Sequence, residues 1–166
     1  MFSGFVLCGG SSTRMGRDKA TVEIAGVPMA RRVADALQAA GSTEVIAVGG
    51  DADALQQIGL TTCPDDQPGD GPLPATITAL RVAREDTVVV MACDLVHPDA
   101  RAVTRLLAAL DAHPDVLVAV AVTDGHRQWT HAAWRRAASV PLEEAFAQGA
   151  RSLRRAASSL PLIEVT

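Results

Sequence analysis

Short apolar runs alternate with amphipathic stretches along the whole chain. Gly4 to Leu7, Glu44 to Val48, Leu60 to Cys63 and Thr87 to Cys93 are too short for helices, and the last is nearly continuous in apolar residues. They read as strands buried on both faces. Between them, Met29, Val33, Leu37 and Ala40 recur at intervals of three and four, which predicts a helix with one apolar face. Gly41 ends it, and Arg31, Arg32 and Asp35 face outward. Thr21 to Ile24 reads as a short strand and Gly26-Val27-Pro28 as a turn. Asp51 to Ile58 reads as a short helix capped by Asp51. Leu73, Ile77 and Leu80 mark a helix entered through Pro72 and Pro74, where a missing N–H costs little.

Past Asp94 the pattern predicts a helix from Pro98, with Val103, Leu106, Leu107 and Leu110 on one face, and then a strand over Val116 to Val122. Asp124-Gly125-His126 reads as a turn and Thr130 to Trp134 as a strand returning antiparallel. Helices over Pro141 to Gln148 and Arg151 to Ala157 follow, then an edge strand over Leu162 to Val165. This alternation predicts an α/β fold: a Rossmann-like three-layer sandwich in one domain, 1–166, with a mostly parallel sheet and one antiparallel strand. Ligands of such sheets sit beyond the carboxyl ends of the strands, where the strand order reverses. If the order begins third, second, first, fourth, the loop after Leu7 and the carboxylate of Asp94 share one crevice.

Composition narrows the function. With 48% hydrophobic and 3% aromatic residues, the core is built from Ala, Val and Leu, and a net charge of −4 argues against a nucleic-acid partner. Cys8, Cys63 and Cys93 are odd in number and widely spaced, so neither a disulfide framework nor a zinc site is indicated. No basic segment precedes an apolar run at Met1-Phe2-Ser3-Gly4, and no apolar run reaches bilayer length. A cytoplasmic protein with no membrane partner is expected. Nothing in the pattern, neither a heptad nor a large apolar stripe, speaks to oligomeric state.

The chemistry concentrates in Leu7 to Lys19. Three glycines let the backbone approach a ligand and aim N–H groups into one concavity, and Arg14 and Lys19 add positive charge, a combination suited to polyphosphate. Of 15 basic residues only Lys19 is a lysine, a compact ammonium that several phosphate oxygens can share. Neither the P-loop nor the dinucleotide fingerprint is present. Asp94, ending a buried strand, is a candidate hard-oxygen ligand for magnesium, or else a cap for the turn before Pro98. The turn-rich stretch Pro64 to Pro72 is either a solvated connection or a shaped functional edge. Its composition favours the connection, with Asp66 and Asp70 as solvated turn residues. His97, His113, His126 and His131 lack ligand spacing, and Cys93 reads as a small buried hydrophobe. Arg151, Arg154 and Arg155 fall on one helix face that reads as solvated.

The longer pattern Leu-x-Gly-Gly-x-Ser-x-Arg-Met-Gly-x-Asp-Lys resembles the opening loop of the molybdenum cofactor guanylyltransferase family, within the molybdopterin nucleotidyltransferases. Asp65 to Leu73 resembles that family's acidic, proline-rich turn ending in Gly-Pro-Leu. Val88 to Asp94 resembles its apolar strand ending in Cys-Asp, and Gln128 to Trp134 its return strand. Order and spacing agree over residues 3–150. The resemblance implies magnesium-dependent transfer of GMP from GTP to the phosphate of molybdenum cofactor (molybdopterin), releasing pyrophosphate. It implies Arg14 and Lys19 on the β- and γ-phosphates, Asp94 on magnesium and nucleotide, and Asp65 near base and ribose. Leu7, Cys8, Gly9, Gly10 and Ser11 complete the nucleotide contacts, the backbone carbonyls from Leu7 to Gly10 facing the guanine edge. A transient contact with cofactor-insertion proteins also follows.

Alternatives are transfer of CMP, a sugar- or alcohol-phosphate acceptor, and a non-catalytic homologue that binds nucleotide or cofactor. The chain departs from the family at Pro74-Ala75, at Val96 in place of Pro, and at Trp129-Thr130 in place of Pro-Leu after Gln128. Gly49-Gly50 stands where some members have Asn, and the C-terminal region is short for the family. These changes lie more on the acceptor side than on the nucleotide side, and Trp129 is expected to reshape the pocket for molybdopterin.

Overall fold

In the computed structural model, which describes residues 1–9 and 19–166, Ser3–Leu7 forms β1, every residue of it buried. Parallel partners flank it. Glu44–Val48 (β4) lies on one side, in register from Ser3 opposite Glu44 to Leu7 opposite Val48. Thr87–Ala92 (β6) lies on the other, from Ser3 opposite Val88 to Leu7 opposite Ala92. Thr61–Cys63 (β5) adds to β4, also parallel. Beyond β6 come His126–Arg135 (β8), Val118–Thr123 (β7) and Leu162–Val165 (β9), giving the order β5-β4-β1-β6-β8-β7-β9. β8 runs antiparallel to both neighbours and β9 parallel to β7, so β8 alone opposes the other six strands. The expected 3-2-1-4 order and the single antiparallel strand are both observed.

Helices cover both faces of the sheet. Met29–Ala39 (α1), Ala52–Gln57 (α2) and Ala100–Ala112 (α4) bury Val33, Leu37, Leu55, Val103, Leu106 and Leu110 against Val6, Ala47, Val89 and Met91. Pro72–Val82 (α3), Ser139–Ala147 (α5) and Leu153–Ala157 (α6) cover the opposite side, over Phe5, Val48, Val90, Ala132 and Trp134. The side chains that share a face alternate along each strand, as pleating requires. The helix ends follow local chemistry: Asp51 accepts from the N–H groups of Asp53 and Ala54, and Arg135 donates to the last carbonyls of α4 through Leu110 O at 2.8 Å.

Two elements differ from the sequence reading. Only Glu23–Ile24 (β2) of the stretch from Thr21 is strand, and Val27–Pro28 (β3) pairs back on it, because Ala25 and Gly26 take left-handed φ angles of 53° and 78° and reverse the chain tightly. Residues Lys19–Thr21 form a 3-10 turn instead. Arg151 does not share a helix face with Arg154 and Arg155. It precedes α6, lies over the Phe146 ring at 4.6 Å, and donates to the carbonyls of Phe146 and Ala150. It thereby ties the α5–α6 turn.

At the amino end of the strands, the buried Ser3 hydroxyl donates to Glu44 Oε1 at 2.6 Å and accepts from the Glu85 N–H at 3.2 Å, while the Arg84 N–H donates to the same carboxylate. This network locks β1, β4 and the turn before β6 together at the edge away from Asp94. On β8, His131 stands opposite Met91, and its Nε2 is buried with no hydrogen-bond partner among the described residues. Burial therefore holds its pKa below the ordinary value of 6.5. Between the lowered folded value and the ordinary unfolded one, the unfolded chain binds more protons, so stability falls as pH drops through and below about 6.5. Urea unfolding should show a midpoint that declines from about pH 7.5 to about pH 5.5. His131→Leu should flatten the decline, and an unchanged slope would assign it to other groups.

Candidate active site

Four strands of the sheet end at one level, and the hydrogen-bond ladder continues one residue past the ends of β1, β4 and β6. The Cys8 N–H donates to Val48 O at 2.9 Å, the Cys93 N–H to Leu7 O at 3.0 Å, and the Gly49 N–H to Cys63 O at 3.0 Å. The segments that leave β5, β4, β1 and β6 therefore depart side by side from a rigid edge. The Leu7 carbonyl, one of the expected acceptors of this run, already accepts within the sheet.

On the β4–β5 side the edge is closed by backbone. Gly49 has φ 74°, and a Cβ there would stand 3.1 Å from both Gly9 Cα and Gly9 N, tighter than ordinary contact, and 3.5 Å from Asp65 Cβ. Gly50, φ 77°, meets Cys8 in the same way. The absent side chains let the two segments touch. Asp65 is 8% exposed; its Oδ1 accepts from the Gln67 N–H at 3.0 Å, while Oδ2 would lie 3.5 Å from a Cβ on Gly9. Its neighbour Asp66 is ion-paired to Arg81 and accepts from Thr78 Oγ1 at 3.3 Å. Pro64 to Pro72 is exposed along most of its length, as expected of a solvated connection, and Asp66 clamps it to α3. Asp66 and Asp70 are both exposed, as expected, and Asp66 in addition carries the ion pair to Arg81. Composition could not separate these roles, because Arg81 and Thr78 lie in the following helix. Burial, followed by the charge of Asp66, pushes the Cys63 thiol up, so it stays protonated at this edge.

On the β1–β6 side, Lys19 Nζ stands 3.6 Å from Asp94 Oδ2, both side chains about half exposed at 54% and 51%. Such a pair contributes at most about 1 kcal/mol to stability. Asp94 has no other polar partner among the described residues, and the capping role belongs to Asp99, which accepts from the Arg101 N–H at 2.9 Å. The two charges are therefore available to a ligand. No group of three or more His, Cys, Asp or Glu able to hold a metal occurs among the described residues, and no helix there is long and apolar enough to cross a membrane.

Of the residues singled out by sequence, Leu7, Cys8, Gly9, Asp65, Lys19 and Asp94 come together along this edge. Gly10, Ser11 and Arg14 lie outside the described residues. The sequence reading missed the closing role of Gly49-Gly50; the doubled glycine directly after a buried strand was its available signal.

Residues 4–161 match the family described as MobA-like NTP transferase domain. The chain belongs to this family. Membership makes it a nucleotidyltransferase. A Chloroflexus aggregans protein named "Probable molybdenum cofactor guanylyltransferase" is 33% identical over 99% of this chain and 80% of its own length. The molybdenum cofactor guanylyltransferase of Burkholderia vietnamiensis is 34% identical over 92% of this chain and 79% of its own. Among solved structures, the molybdopterin-guanine dinucleotide biosynthesis protein A of Archaeoglobus fulgidus superposes with a TM-score of 0.74 at 21% identity, covering 98% of this chain and 82% of that one, which establishes the shared fold.

Gly49→Ala should destabilise the protein by roughly 1–3 kcal/mol and also weaken nucleotide binding, because it displaces Gly9 and Asp65. Gly41→Ala is the control: its φ of 92° carries similar strain with nothing within 4 Å of the new Cβ. Urea unfolding and calorimetric titration with GTP should show both variants destabilised and only the first weakened in binding.

Proposed function

We propose that the chain transfers GMP from GTP to the phosphate of molybdenum cofactor, forming the guanine dinucleotide cofactor and pyrophosphate. The observation that carries this reading is the approach of Lys19 and Asp94 across the β1–β6 crevice, in a chain whose family transfers nucleotides. The names of its relatives support the acceptor. In the reaction an acceptor phosphate oxygen bonds to the α-phosphorus of GTP as the α–β bridging bond breaks, and positioning and charge neutralisation are the main demands.

The Lys19 ammonium sits where it can meet the β- and γ-phosphates and the charge that builds on departing pyrophosphate, a role that Arg14 shares by resemblance. Asp94 would hold magnesium. One half-exposed carboxylate, with no cluster of further ligands among the described residues, suits an ion that takes its remaining ligands from phosphate and water. When bound, magnesium neutralises charge on the triphosphate. Guanine offers N1–H and N2–H₂ donors, and the buried Asp65 carboxylate, held by Gln67 beside Gly9, supplies a fixed acceptor with the Cys8, Gly9 and Gly10 carbonyls. Ser11 belongs to the same nucleotide contact set. Residues 1–166 act as one nucleotidyltransferase unit in the cytoplasm, and product hand-off to cofactor-insertion proteins belongs to the same reading.

Incubating the protein with magnesium, molybdopterin and α-labelled GTP or CTP tests the reaction. Label should pass from GTP with release of pyrophosphate, and Lys19→Ala and Asp94→Asn should each lower kcat by roughly 10²–10³-fold. Transfer from CTP alone would replace the guanylyl reading, and nucleotide binding without any transfer would make the chain an accessory homologue.

A further inference from the structure

β8 does not pair evenly with β7. Val120 stands opposite Ala132, but the next β7 residue, Ala121, stands opposite Gln128, so Trp129, Thr130 and His131 form a bulge. The bulge reverses which side of the sheet the strand's residues face. Beyond it Ala132 and Trp134 lie in the core beneath α3, α5 and α6, and plain alternation would send Trp129 to the other face. Instead Trp129 packs against that same core, and Arg127, opposite Val122, shares its side. Bulges re-aim side chains in this way beside functional sites.

The two re-aimed residues form a unit. The Arg127 guanidinium carbon lies 5.8 Å from the centre of the Trp129 ring, and Nε donates to Glu164 of β9 at 2.6 Å. Among the described residues nothing accepts from its Nη groups. The guanidinium is thus oriented by an indole and a carboxylate, with hydrogen-bond donors to spare. Its place in the sheet gives it an occupant. The first residues of β8 run past the last residue of β6, at the edge that carries Asp94, and the β8–β7 hairpin lies one to two strand spacings, about 5–10 Å, from β6. Asp65 and the glycines lie on the opposite side of Asp94, over β5, β4 and β1.

We propose that Arg127 and Trp129 bind the non-reacting end of the acceptor, a flat heterocycle rich in hydrogen-bond acceptors, and so set acceptor specificity. This rests on the transfer reaction proposed above and deepens it. With the acceptor phosphate at the Lys19–Asp94 crevice, the rest of that molecule extends over β8 and β7. The indole supplies an apolar edge and the Nη donors meet ring oxygens and nitrogens. Trp129-Thr130, where the family resemblance would place Pro-Leu, makes this recognition a property of this chain.

Steady-state kinetics on Trp129→Leu, Trp129→Phe and Arg127→Lys test the proposal. Trp129→Leu and Arg127→Lys should raise the KM for molybdopterin at least tenfold while leaving the KM for GTP within twofold, and Trp129→Phe should recover most of the loss. Acceptor and GTP KM values that rise together, or no change in either, would overturn it. A second measurement separates its failure from that of the reaction itself. Molybdopterin should quench the tryptophan emission of the wild type more than that of Trp129→Phe, in which only the buried Trp134 remains. If GMP transfer fails but this quenching is seen, the reaction reading falls and the binding platform stands; without differential quenching the platform falls.

Discussion

The site depends on the in-register parallel pairing of β1 with β6. Leu7 stands opposite Ala92, and the ladder runs on through the Cys93 N–H to the Leu7 carbonyl. Hydrogen bonding fixes the spacing of neighbouring strands at about 4.8 Å, so a segment leaving β1 and a carboxylate leaving β6 have to emerge side by side. Lys19 reaches Asp94 at 3.6 Å from the 3-10 turn Lys19–Thr21, whose Ala20 is buried in the same core as Met91 and Cys93. A slip of one residue would turn each side chain of the strand to the opposite face and place Val6 and Met91 under the wrong helices, so the apolar pattern that fills both cores also guards the register.

The two edges of the sheet divide the work of stability and function. At the amino edge, the Ser3 hydroxyl, the Glu44 carboxylate and the N–H groups of Arg84 and Glu85 satisfy one another. At the carboxyl edge, among the described residues, charged side chains are left partly open. Lys19 and Asp94 are half exposed, and Asp65 turns one oxygen to Gln67 and the other toward Gly9. Close contact between Gly9 and Gly49 ties the residues that leave β1 to those that leave β4. Functional groups positioned by strand ends can hold fixed geometry without being buried themselves.

Much of this was legible residue by residue. Continuous apolar runs marked β1, β4, β5 and β6, and three- and four-residue spacing marked α1, α3 and α4, because burial imposes those periods locally. The order third, second, first, fourth entered the sequence reading only as a condition under which Asp94 falls beside Leu7, and the structure meets that condition. Failures occurred where a residue's role depends on a distant partner. The clamp from the exposed Asp66 was hidden because its partner Arg81 is 15 residues on, and Arg151 looked like part of a helical face because its stacking on Phe146 is tertiary. The β2–β3 hairpin escaped notice because one of its two left-handed residues is Ala25, which carries no turn signal of its own.

The sequence by itself determined the main strands and helices, the α/β class and the identity of the chemical groups, since each of these is written in short-range periodicity and residue type. Tertiary structure alone decided the approach of Lys19 to Asp94, the sealing of Gly49 against Gly9, and the side of the sheet on which Arg127 and Trp129 stand. The last is the clearest case. In sequence Trp129 alternates with Ala133 and belongs on the α1–α4 face, and only the pairing of Gln128 with Ala121 reverses it. That pairing is chosen by hydrogen bonds to another strand, and no local pattern in β8 records it.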